Sequence, residues 1–338
     1  MKESDIRPQK LFNRYLELSR QDIGRYFSEH SRFEEIPCPA CGSDKSQIGL
    51  EKFDFRYMLC SDCGSLYLSP RPPVEMYDRY YRESESVKFW GTHFFQVTAE
   101  ARREKIFRPR ALLVDEWAKK WGVKPGDGSL LVDIGSGYGI FMEEVKRLER
   151  FDRIIGIEPA PNLAQTSCEK GFSIIERMVE DIVDEEVNAV FATAFEVLEH
   201  VFDPHKFLSS ARRILRPGGT VIATTLTVSG FDIQNLWENS KSVYPPHHIN
   251  ILSVEGILRL VERSGLEVVN LCTPGELDVD IVRNICSENP EIQIPRFATS
   301  IINASEDVRS RFQDFLKLNQ LSSHIRVIMS REIATEGA

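Results

Sequence analysis

Long apolar runs are missing from this chain. Nowhere does it hold the roughly 20 consecutive apolar residues that a membrane-spanning helix needs, so insertion into a bilayer is not expected. The opening residues, MKESDIRPQK, lead into no apolar stretch of the kind a secretory leader carries, which points to a cytoplasmic protein. Positive charge is also scarce: 42 lysines and arginines face 51 acids, a formal net charge of −9. That balance argues against a surface built for phosphate backbones or anionic membranes, so no nucleic-acid partner is expected. The local basic clusters Arg102-Arg103-Glu104-Lys105 and Arg108-Pro109-Arg110 read as a solvated helix face. Low-complexity tracts, Pro/Gly-rich linkers and internal repeats are absent as well. What remains is an ordinary globular composition, 42% hydrophobic and 28% charged over 338 residues. Such a length suits one large domain with a small accessory module.

The chain divides by pattern. Residues 1–36 form an N-terminal helical segment, with apolar side chains at 11, 12, 15, 16, 18, 23, 26 and 27, and a break expected near Gly24. Residues 37–72 are turn-rich and hold two cysteine pairs, and 73–110 read as a helical linker. From 111 to 338, apolar runs alternate with helical patterns, the signature of an α/β domain with a parallel sheet. Strands are expected at 129–135, 153–158, 172–177, 188–195, 220–226 and 266–272. Helices are expected at 204–215 and 253–265, the second opening on a Ser N-cap and closing at a Gly C-cap. A helical insertion near 275–320 precedes HIRVIMS, a candidate last strand.

Cys38, Cys41, Cys60 and Cys63 lie as C-x2-C, eighteen residues, C-x2-C, each pair followed by glycine. Four thiolates at this spacing suit a tetrahedral, structural zinc site in a reducing compartment, with no position left for a catalytic water. An iron–sulfur centre and a redox dithiol pair are the alternatives. Cys168, Cys272 and Cys286 stand apart, as core or surface thiols.

The sharpest chemistry lies in LLVDIGSGYGIFMEEV. An acid, Asp133, closes a strand, then Gly135, Gly137 and Gly139 carry the loop and a helix begins near Tyr138. The spacing is G-x-G-x-G rather than the dinucleotide G-x-G-x-x-G, which suits a ligand without a pyrophosphate. Glu158, at the tip of the next strand, can accept two ribose hydroxyls. Glu180 or Asp181, after the third strand, can accept an adenine amino group, with Ile182 against the ring. Three acids at three successive strand ends face one crevice in an open α/β sheet.

Together with FEVLEHVFDPHKFLSSARRILRPGGTVIATT, these residues resemble the class I S-adenosylmethionine-dependent methyltransferases over roughly 110–272. The resemblance implies a Rossmann-like sheet of seven strands with one antiparallel edge strand, S-adenosylmethionine as cofactor, and methyl transfer to a nucleophile. It also implies that Phe195 and Glu196 sit near the transferring methyl, while Glu199 and His200 shape the crevice. The cysteine pairs followed by LYLSPRPPVEMYDRYY resemble a bacterial group with a zinc ribbon ahead of this domain: sugar C-methyltransferases and surface-polysaccharide relatives. That likeness implies a small-molecule or glycan substrate, most concretely a nucleotide-linked sugar.

Methyl transfer to a hydroxyl or an activated carbon releases a proton, and SVYPPHHINILS can supply an acceptor for it. Where the sugar C-methyltransferases carry Glu-His, this chain has His247-His248, which makes O-methylation as natural an outcome as C-methylation. His248 takes the base position, beside His247 and Tyr244. Solvated loop histidines flanking a Pro-Pro turn are the plainer account. An RNA methyltransferase with a zinc module and a non-catalytic cofactor-binding scaffold are the rival functions.

Overall fold

A computed structural model of the chain describes residues 6, 8–183 and 187–332. The outer ends of the two expected terminal segments, 1–5 and 333–338, lie outside the described residues. The chain forms two units, one from Met1–Ala101, Leu226–Ile257 and Cys272–Ile325, the other from Arg102–Thr225, Leu258–Leu271 and Arg326–Ala338.

The first unit opens with a helix at Gln9–Tyr26. It runs straight through Gly24, where a break was expected. Ile23, Tyr26 and Phe27 are buried in one apolar cluster on either side of that exposed glycine, and their packing outweighs the propensity cost of about 1 kcal/mol. Strands β1 (Ser46–Lys52), β2 (Phe55–Cys60) and β3 (Leu66–Leu68) form an antiparallel sheet. Its fourth strand comes from far downstream: Leu66 pairs with Ile251 and Tyr67 with Asn250. Arg71, 2% exposed, donates to Asn250 Oδ1 at 2.8 Å and so anchors the same join. Helices at Val74–Glu83 and Glu85–Phe89 follow, then π-helical turns at Trp90–Phe95. Later in the chain come helices Asp278–Glu288, Arg296–Ile302 and Glu306–Leu318, which share their own apolar cluster around Val282, Ile285 and Leu316.

The second unit carries most of a seven-stranded sheet. Its strands are β4 (Leu130–Ile134), β5 (Arg153–Ile157), β6 (Ser173–Ile175), β7 (Ala189–Phe195) and β8 (Leu215–Leu226). After β9 (Asn250–Ile251), the strand of the first sheet, come β10 (Glu267–Cys272) and β11 (His324–Ser330). The order is β10-β11-β8-β7-β4-β5-β6, with β6, β5, β4, β7 and β8 parallel. β4 is buried at every position, as a central parallel strand must be. The α/β class expected from the alternation and the Rossmann-like seven-stranded sheet implied by the resemblance are the ones observed.

One detail corrects the expectation. Gly218 N–H bonds to Arg331 O at one end of β8, and Thr227 N–H bonds to Ser323 O at the other, so β11 runs antiparallel to β8. This strand lies between β8 and β10 rather than at the edge. Ile325, Val327, Ile328 and Met329 are all buried, as befits a strand flanked on both sides.

Candidate functional site

β7, β4 and β5 are neighbours, so the ends of these parallel strands bring Phe195, Asp133 and Ile157 to one edge of the sheet. The loop after β4 turns back on β5: Gly135 N–H bonds to Ile157 O at 2.8 Å. All three loop glycines have positive φ, and a Cβ at Gly135 would stand 2.8 Å from Val197 Cγ2. Gly139 (φ 72°) is the N-cap of the helix Ile140–Lys146. At Gly137 a Cβ would meet nothing within 4 Å, so one side of the loop backbone is open.

Glu158, 6% exposed, spans the turn. Its Oε2 accepts Gly137 N–H at 2.9 Å and its Oε1 accepts Ala160 N–H at 3.0 Å. Burial raises this carboxyl above the usual range, and the two amides oppose the rise. Asp133, 4% exposed, accepts from Thr193 Oγ1 at 2.7 Å, and burial pushes it up to about 7. Ser167 Oγ donates to Gly137 O and Lys170 Nζ to Tyr138 O, so these loop carbonyls are pinned from the helix Pro161–Glu169 and its C-cap. Tyr138 is half-buried, its hydroxyl raised by burial.

After β6, Glu180 and Asp181 form a single 3-10 turn. Ile182 is buried and Asp181 exposed. Glu180 Oε2 is buried with no hydrogen-bond partner among the described residues, and burial raises its carboxyl. Arg213 Nη2 donates to Ile182 O at 2.8 Å and to Glu180 O at 3.3 Å, fixing the turn from below. Past β7, Phe195 packs edge-on against Phe141, and Glu196 takes a left-handed backbone (φ 56°) unusual for a side chain of its size. Thr224 Oγ1 donates to Glu196 Oε1 at 2.6 Å, and Arg110 Nη2 pairs with the same oxygen.

Cys38, Cys41, Cys60 and Cys63 converge, every sulfur within 4.8 Å of the others. The two closest pairs are 3.6 Å (Cys38–Cys63) and 3.5 Å (Cys41–Cys60). Sulfurs placed tetrahedrally about 2.3 Å from a common ion are about 3.75 Å apart, so the cluster is sized for one ion. Each knuckle folds identically: Gly42 N–H to Cys38 O and Cys38 N–H to Ser43 O, then Gly64 N–H to Cys60 O and Cys60 N–H to Ser65 O.

In the segment 242–251, Tyr244 donates its hydroxyl to Leu16 O and lies edge-on to Phe53. His247 is 9% exposed, its Nε2 2.7 Å from Tyr80 Oη and its ring among Tyr15, Tyr80 and Tyr81. Both are thus held in packed surroundings. His248 is less enclosed; its Nδ1 lies 2.6 Å from Ser242 O. A carbonyl only accepts, so Nδ1 carries a proton.

A family model described as a methyltransferase domain matches residues 99–271, just over half of the chain. The chain belongs to the methyltransferase-domain family. The mitochondrial ubiquinone biosynthesis O-methyltransferase of Homo sapiens is 34% identical over 113 residues, 30% of this chain and 30% of that protein. The ubiquinone biosynthesis O-methyltransferase of Methylocella silvestris is 36% identical over 126 residues, 36% of this chain and 47% of that protein. This chain therefore spans less than half the length of either relative. The plantazolicin methyltransferase BamL, solved in complex with a triazolic desmethylPZN analog and SAH, superposes with a TM-score of 0.49 at 12% identity, covering 75% of this chain and 93% of that one.

Within this methyltransferase domain, two groups escaped the reading of the sequence, while the buried state of a third, Glu199, lay beyond it. Arg103 and Arg110, assigned to a solvated face, have side chains only 16% and 15% exposed. Arg103 bridges Glu143 and Glu144, and Arg110 holds Glu196 while covering the Phe195 ring at 4.8 Å. Their carboxylate partners lie tens of residues away, so no local pattern marks them. Glu199, 2% exposed, accepts from Thr225 Oγ1 at 2.7 Å, and burial, then the Glu196 charge, pushes it up to about 8.

Proposed function

We propose that this chain transfers a methyl group from S-adenosylmethionine to a hydroxyl of a small molecule, and that the acceptor is a sugar, a nucleotide-linked sugar or another glycan precursor. The observation that carries the cofactor reading is the Gly137–Glu158 turn, open on the side that a Cβ at Gly137 would otherwise fill. The residues present fit the cofactor's three parts. Loop backbone at Gly135–Gly139 and Asp133 suit the amino-acid end, and the Glu158 carboxylate suits the ribose hydroxyls. Glu180 Oε2, buried without a partner among the described residues, suits the adenine amino group, with Ile182 alongside. Asp181 is the exposed alternative to Glu180.

When bound, S-adenosylmethionine supplies an electrophilic methyl on a sulfonium. The chain's own residues then orient and take up a proton. Phe195 and Glu196 would line the methyl side, the latter held by Thr224 and Arg110. The proton leaving the acceptor is assigned to His248, whose ring is oriented by the Nδ1 contact with Ser242 O. His247 and Tyr244, bound to Tyr80 and Leu16 O, set the loop's shape. The four-cysteine cluster is proposed to hold one structural zinc, the ion that suits four converging thiolates at this separation.

The sugar acceptor rests on the ribbon-plus-methyltransferase resemblance. A hydroxylated aromatic ring is the second reading, favoured by the ubiquinone biosynthesis O-methyltransferases among the relatives. RNA is disfavoured by the net charge of −9. Among the described residues no helix is long and apolar enough to cross a membrane.

Calorimetric titration with S-adenosylmethionine tests the cofactor. Glu158→Ala should weaken binding roughly tenfold or more, as loss of a charge-assisted hydrogen-bond acceptor does; unchanged affinity would reject the crevice. Methyl-labelled cofactor offered with nucleotide-linked sugars and with catechol-type rings separates the two acceptors. His248→Ala should lose turnover and keep cofactor affinity, so full turnover would remove it as the base.

A further inference from the structure

At the opposite edge of the seven-stranded sheet, where β7 and β8 begin and β11 ends, lies a cavity of about 560 Å³. Its polar wall is made by Asn188, Ser209, Arg212, Arg213 and Arg331, with Leu215 among its apolar residues. Three guanidinium groups line it, and among the described residues no carboxylate does. In a chain of net charge −9 that concentration is unusual.

Two of the arginines have structural duties. Arg331 spends Nη1 on the carbonyls of Arg212, Arg213 and Leu215, at the end of the helix Pro204–Arg213, a position that favours a cation. Arg213 spends Nη2 on the Glu180–Ile182 turn and on Ser210 Oγ. Arg212 has no such task. It makes no ion pair with a described carboxylate, and its Nε is buried without a hydrogen-bond partner among the described residues. Its side chain rests on Gly265, where a Cβ would come within 3.2 Å of Nε. Holding a guanidinium half-buried and unpaired costs free energy unless an anion completes it. The planar forks of several arginines match phosphoryl oxygens better than they match any other common anion.

We propose that this cavity binds a phosphate-class oxyanion, either free phosphate or the phosphoryl group of a small metabolite. Its volume exceeds what one phosphate fills and lies in the range of small-ligand sites. Because Arg213 also holds the turn of Glu180 and Ile182, occupancy is felt at the adenine side of the cofactor crevice. That coupling, though not the anion site itself, rests on the cofactor reading given above.

The test uses the full chain and two titrants, inorganic phosphate and a hexose 1-phosphate, followed by calorimetry. Both should bind, and Arg212→Gln and Arg331→Gln should each weaken them roughly tenfold or more, the cost of removing one charge-assisted donor. Tighter binding of the sugar phosphate assigns the site to a metabolite; equal binding assigns it to the free ion. Should Arg331→Gln unfold with its helix staple, Arg212→Gln alone carries the test. Affinity unchanged in Arg212→Gln overturns the proposal. So does an absence of binding both to the wild type and to a variant with Asp184, Glu185 and Glu186, the acids preceding Val187, changed to amides. S-adenosylmethionine titrated with and without saturating phosphate should differ in affinity, by the same factor read in either direction; identical values remove the coupling. Phosphate binding in a chain that does not bind S-adenosylmethionine would overturn the crevice reading and leave the anion site standing.

Discussion

At the scale of single residues, the site depends on charges placed where the backbone alone would not hold them. Glu196 sits in a left-handed conformation and is retained by Thr224 and Arg110. Arg110→Ala should lower stability by about 1 kcal/mol, a modest figure because Glu196 is partly exposed and solvent takes up some of the lost pairing. Thermal unfolding of the variant checks it, and a companion drop in cofactor affinity would show that the Glu196 turn has moved. The glycine loop and Glu158 were legible in the sequence because their chemistry is written within a few residues of each strand end. Arg110 was illegible because its partner is 86 positions away and its neighbours look like any charged helix.

Among elements, the join between the cysteine knuckles and the later chain is the most informative. Ser253 was expected to cap a helix, and it does: Gly256 N–H bonds to Ser253 Oγ at 2.8 Å. The same hydroxyl reaches Cys63 O, while Ser253 N–H bonds to Ser65 Oγ. A cap that is local in sequence is thus also a clamp on the proposed metal site, and only the first half of that could be read from spacing. At Gly256 a Cβ would stand 2.0 Å from Ser65 Oγ. Gly256→Ala should therefore destabilise by about 1–3 kcal/mol, the usual cost of overpacking, and hasten zinc loss to a chelator. Release measured with a colorimetric zinc dye tests both the metal's identity and the clamp. Loss no faster than in the wild type would separate the helix from the knuckle. The short strand β9 was missed for a plain reason: two residues carry no periodicity, and only its partners Leu66 and Tyr67 define it.

Across the whole molecule, three fully enclosed acids set the response to pH. Burial, joined by the charge of Glu158, pushes Asp133 up to about 7. Burial and then Asp278 push Asp232 up to about 8, and Glu199 also reaches about 8. In the unfolded chain such acids ionise near pH 4. Between about pH 4 and 8 the native state therefore keeps protons that the unfolded state has released, and stability falls as pH rises through that window before levelling off. Unfolding temperatures should be higher near pH 6 than near pH 9, and Asp133→Asn should flatten the decline. A stability that climbs steadily toward alkaline pH would contradict it.

The first unit is stitched from three separated stretches of chain. During synthesis β1, β2 and β3 leave the ribosome early, but Leu66 and Tyr67 find their partners only after Ile251 has been made. At about 5–20 residues per second that delay is on the order of ten seconds or more. Throughout it the β3 edge and the apolar cluster beneath it stand incomplete, open to pairing with neighbouring nascent chains. Early capture of a metal ion by the cysteine knuckles would hold the half-made sheet in register until its last strand arrives.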